Sequence, residues 1–122
     1  MMSIKIPQMI NILLCEVQDA KLYHDLIEQI NKDFLLANEN LNLTKTTTPK
    51  MLKKQLQDTC YKLIQHNYDC FLNILYIIDV PEEEIKQQPE TDLLVFTEHI
   101  TFLILKREWK KIWFKKNYTH SF

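Results

Sequence analysis

Cys60, His66 and Cys70 fall within one short stretch, with His66 and Cys70 about a helical turn apart, as a pair of zinc ligands would be. A convincing fourth ligand is missing, and neither H-E-x-x-H nor E-x-x-H occurs in the chain. His24 offers a second pairing. If the first two helices fold back on each other, it comes level with Cys60 or Tyr61, and a thiol beside an imidazole is the arrangement of an activated nucleophile. There is no glycine nest to receive an oxyanion. Glu98, next to His99 on a strongly apolar segment, is a candidate for a carboxyl of raised pKa and acid–base work. Each of these has a commoner structural account, a satisfied core histidine or a buried hydrogen bond. The expectation is no catalytic residue, no cofactor and no metal site.

The C-terminal end is the most distinctive segment. Residues 106–122 hold six basic and one acidic residue, net +5, whereas residues 1–105 carry net −6. Arg107, Lys110, Lys111 and Lys115 surround Phe114 on a helical wheel, and a basic face with an aromatic in it suits phosphate contact with base stacking, or an anionic membrane surface. The structural alternative is that cations favour helix C-termini and that their stems cover apolar surface. The acidic counterpart is Asp79, Glu82, Glu83 and Glu84, with Glu90 and Asp92 beyond. Its spacing is not that of an EF-hand loop, and it suits helix starts or a partner's basic surface.

The elements that must position these groups are helical. The chain of 122 residues contains no glycine, where average usage gives about eight or nine. That disfavours hairpins and bulges, and it removes every glycine-dependent phosphate loop and the G-x-S-x-G elbow. Serine stands only at Ser3 and Ser121, so a serine triad is not expected. Three cysteines without C-x-x-C spacing and no apolar run of membrane-spanning length predict a reduced, intracellular, cytoplasmic protein. Length predicts one domain over 1–122.

Taken in order, residues 1–7 read as a loose lead-in. Ile10, Leu13, Val17, Ala20, His24, Ile27, Asn31 and Phe34 keep a 3-4 spacing and predict one helix over about 8–37, with a possible kink near Gln18 and Asp19. A polar loop follows over 38–48, and Thr48-Pro49 is a helix start. Leu56, Cys60, Leu63, Asn67, Cys70, Ile74 and Ile77 predict a second helix from 49 to 78, about 43 Å if straight, with a break at 66–69 as the alternative. Asp79 and Glu82 have capping-box spacing for a short helix over about 80–87. The last helix is expected over about 90–117, apolar nearly all round from Leu93 to Leu105 and continuing on a stripe through Trp109, Ile112 and Trp113. The predicted fold is all-α: an antiparallel three-helix bundle with one additional short helix.

Leu72, Tyr76 and Phe114 fall off the core-facing stripes. Large side chains so placed point to a second contact surface, for a homodimer or a helical protein partner. The expected function is a small interaction or assembly subunit without catalytic activity. A nucleic-acid binder acting through Arg107, Lys110, Lys111 and Lys115 is the alternative.

Overall fold

The computed structural model describes residues 5–86 and 92–118, and among these the regular elements are all helices: α1 (Ile6–Asp19), α2 (Tyr23–Leu36), α3 (Pro49–His66), α4 (Tyr68–Ile78), α5 (Glu82–Lys86) and α6 (Leu93–Tyr118). The all-α expectation holds. The simple three-helix plan does not, because each of the first two long helices is divided.

The first division follows Asp19. Lys21 takes the left-handed conformation at φ 59°, with Lys21 N–H on the Gln18 carbonyl at 2.9 Å and Leu22 N–H on the Val17 carbonyl at 3.0 Å. That pair of bonds is a Schellman cap, which ends a helix by satisfying its last carbonyls. The break interrupts the expected seam without abolishing it, since Ile27 and Phe34 beyond it are buried. Ala20 and His24, expected on the seam, are exposed, and Leu22, Leu26 and Ile30 carry the buried row on from Val17. The kink anticipated at residues 18–19 is thus a full break about two residues later. At the N-terminus, Ile6 and Pro7 are already helical, so Pro7 begins α1 rather than ending a lead-in.

The second division is at Asn67. Its backbone leaves the helical region at φ −153°, and its Oδ1 accepts from Cys70 N–H at 3.2 Å to cap α4. Asn67 therefore lies exposed at a junction instead of fixing register inside a seam. The Schellman geometry seen at Lys21 recurs at Asn38 (φ 62°) and Asp79 (φ 69°), where Glu39 N–H reaches Phe34 O at 2.9 Å and Val80 N–H reaches Leu75 O at 3.1 Å. A chain without glycine thus builds three Schellman caps from Lys, Asn and Asp. Asp79 closes α4 and does not start α5.

The 38–48 loop is polar in composition but firmly attached. Leu41, Leu43 and Thr47 are buried. Asn31 clamps Leu43 on both sides, donating to its carbonyl at 2.8 Å and accepting from its N–H at 3.1 Å. Tyr23 Oη donates to Thr47 O at 2.6 Å, and burial pushes its phenol up to about 12. Thr48 then caps α3 by accepting from Met51 N–H at 3.2 Å, with Pro49 in the first turn, as the sequence predicts.

α6 is the axis of the fold, packing against all five other helices. Ile100, Leu103, Ile104, Leu105 and Ile112 are buried along it, each contributing about 1.5–3 kcal/mol through removal from water. Burial stops there. From Trp113 to Tyr118 every residue of α6 is exposed.

Candidate interaction surface and a buried carboxyl cluster

The exposed end of α6 carries an aromatic ladder. Trp113 and Phe114 meet edge to face with centroids 5.6 Å apart, and Phe114 and Tyr118 stack at 5.4 Å with their planes 14° apart. Phe114 and Tyr118 are four residues apart and so share a face, whereas Trp113 is the sequence neighbour of Phe114 and meets it edge-on. On α4, Tyr76 is 84% exposed and Leu72 is exposed too. α4 and α6 run antiparallel. Arg107 binds Asp79 through its carboxylate (3.1 Å) and carbonyl (3.0 Å), and one turn further along α6 Lys111 donates to the Ile77 carbonyl at 3.4 Å. Phe114 lies about 20° around the helix from Arg107, so it shares the flank of α6 that Arg107 turns toward α4.

The basic residues of this end are largely answered within the fold. Lys106 binds Glu84 at 3.2 Å, and Arg107 binds Asp79. Lys115 and Lys116 line a shallow groove of about 300 Å³ together with Asp25, Glu28 and Lys32 of α2. Lys110 is exposed. Lys111 turns inward, 2.9 Å from Asp33 and 3.5 Å from Glu108. The charge split seen in the sequence is therefore in good part an arrangement of α6 cations against carboxylates on α2, α4 and α5.

Among the described residues, Lys111, Asp33 and Glu108 form a cluster of unusual electrostatics that sequence reasoning missed. Asp33 is 4% exposed and Glu108 fully buried. Both Asp33 oxygens accept hydrogen bonds, from Gln29 Nε2 at 3.1 Å and from Lys111 Nζ at 2.9 Å. The Glu108 oxygens have no hydrogen bond of good geometry, only the 3.5 Å approach of Lys111 to Oε1. Burial first, then the neighbouring Asp33, raises the Glu108 carboxyl to about 9 against the opposing pull of Lys111. The signal was available: Glu108 stands four residues from Ile104 and four from Ile112, on a row that is otherwise apolar.

The other candidates do not assemble. Cys60 is fully buried, with its thiol pushed to about 12, while His24 is exposed, so the two make no nucleophile pair. His66 is exposed, and Cys70 donates its S–H to the Ala37 carbonyl at 3.5 Å, with burial raising its pKa. Among the described residues no three His, Cys, Asp or Glu side chains converge as a metal site would require. Glu98 is half-buried beside Gln57, Asp58 and Tyr61 at an open depression. His99 Nε2 lies 3.2 Å from the Glu84 carbonyl, an attachment of α6 to α5, and its Nδ1 is buried without a partner. Of the acidic patch, Glu90 lies outside the described residues. No helix among the described residues is long and apolar enough to cross a membrane. No protein-family model, curated protein or solved structure matches this chain.

Proposed function

We propose that this protein is a non-catalytic helical interaction or assembly subunit. Its contact face runs over Leu72 and Tyr76 of α4 and Phe114 of α6, extended by Trp113 and Tyr118. The observation that carries this reading is the end of α6. Six consecutive exposed helical residues include three aromatics that touch one another. Aromatic side chains gathered at an exposed helix end are typical of contact surfaces, where they supply large area at low conformational cost. The occupant is a second copy of the chain or a helical partner.

Light scattering on the purified chain tests it. The expected result is an associated species, stable to salt, which Tyr76→Asp with Phe114→Asp converts to a folded monomer with unchanged helix content. Association that survives both substitutions places the contact elsewhere. A nucleic-acid role through Arg107, Lys110, Lys111 and Lys115 has less support, because Arg107 and Lys111 are already engaged with Asp79 and Asp33. It predicts binding that falls steeply with salt and 260 nm absorbance on the purified peak.

A further inference from the structure

Asp33, Glu108 and Lys111 bring two carboxyl groups and one ammonium into the junction of α2, α4 and α6. With all three ionised the cluster carries net −1, at a place where Glu108 is fully buried and the Asp33 side chain is 5% exposed. An uncompensated buried charge is strongly unfavourable, and binding a single proton removes it. We propose that Asp33 and Glu108 share one proton beneath Lys111, and that this proton pins the C-terminal half of α6 to α2 and α4.

The hydrogen bonds distinguish the two carboxyls. Asp33 already accepts from two donors, one of them cationic. Glu108 has only the longer 3.5 Å approach of Lys111, and its protonated hydroxyl has Asp33 to donate to. The charged groups acting on Glu108 are Asp33 from α2 and Lys111 from its own helix. α4 contributes the Ile77 carbonyl, which accepts from Lys111, and Arg107 on the same helix is engaged outward with Asp79. With the proton in place the cluster is neutral and α6 is tied to both neighbours. When it leaves, two carboxylates face each other over a single ammonium, and separation or water entry is the available relief. Trp109, half-buried and adjacent in sequence to Glu108, reports on that movement. The inference does not depend on the association proposed above.

Carbon-detected NMR of the side-chain carboxyls in the full chain, titrated from pH 4 to 11, tests the proton directly. One carboxyl of the cluster should still be protonated at pH 8. Asp33→Asn should bring the Glu108 step down by at least about one unit, because one carboxylate and one ammonium are then neutral without the proton. Both carboxyls ionised at pH 7 in the wild-type chain would overturn the shared proton. Tryptophan emission tests the pinning, read in a Trp113→Phe background so that Trp109 is the emitter. It should shift to the red with the Glu108 step in that parent chain and stay level in Glu108→Gln; a shift equal in both chains refutes it. If Glu108→Gln does not fold, Trp109 emission in Asp33→Asn decides the point, since the shift must then follow the lowered Glu108 step.

Discussion

Replacing Glu108 by glutamine should stabilise the protein at neutral pH and remove most of its loss of stability with rising pH. The Glu108 carboxyl is held at about 9 in the fold, against an ordinary 4.5. Between these values the folded chain keeps a proton that the unfolded chain releases. Each unit of pH in that window therefore lowers stability by about 1.4 kcal/mol. The contribution is fullest below pH 4.5, falls as pH rises, and levels off above pH 9. From pH 5 to pH 7 the loss is roughly 3 kcal/mol, a large share of the stability of a small domain. Glutamine does not ionise, and its amide can donate to Asp33 in place of the carboxylic hydroxyl. Urea denaturation at pH 5, 6, 7 and 8, on both chains, isolates the effect because every other titrating group is common to them. With an m-value of about 1.5 kcal/mol/M, the gap between the two midpoints should widen by roughly 2 M from pH 5 to pH 7. Midpoints that move in parallel across the series would refute the reasoning.

Lys111→Met leaves the Asp33 carboxylate buried without its cation and should cost about 3–5 kcal/mol at pH 7, whereas Arg107→Met, whose partner Asp79 has a side chain 78% exposed, should cost about 1 kcal/mol or less; thermal melts of the two variants compare them. Lys21→Gly removes a Cβ from a left-handed position and should stabilise by about 1 kcal/mol, while Lys21→Ala should not, as differential calorimetry can read. In thiol labelling of the native protein Cys15, which is exposed, should react first, and Cys60, buried with its thiol pushed to about 12, only on unfolding. Rapid labelling of Cys60 under native conditions would contradict its burial.

The end of α3 and the start of α4 illustrate what periodicity can and cannot convey. Leu56, Cys60, Leu63 and Ile74 keep one spacing across Asn67, and all four are buried. The pattern records which residues face the core, and it is insensitive to a one-residue interruption that leaves the phase nearly intact. At Lys21 the seam is interrupted: Ala20 and His24 beside the cap are exposed, while Ile27 and Phe34 beyond it are buried as the spacing predicts. No residue there announces a left-handed cap, because the usual announcer is glycine and this chain has none.

By itself the sequence determined the helical class, the Thr48-Pro49 start of α3, the burial of the middle of α6 from Ile100 to Leu105 and the separation of Leu72, Tyr76 and Phe114 from the core-facing stripes; the expected cover of Leu94, Val95 and Trp113 does not hold, since all three are exposed. The properties it determined are local, set by backbone preferences and by the 3.6-residue period that any one helix obeys. Tertiary structure alone decided where the charges went. Lys111 belongs to a basic face on the wheel, yet α2 brings Asp33 to it from 78 positions away in the chain. A charge on a helical wheel has no sign of its environment until a neighbouring helix arrives, and the ionisation of Glu108 depends on that arrival as much as on its own position.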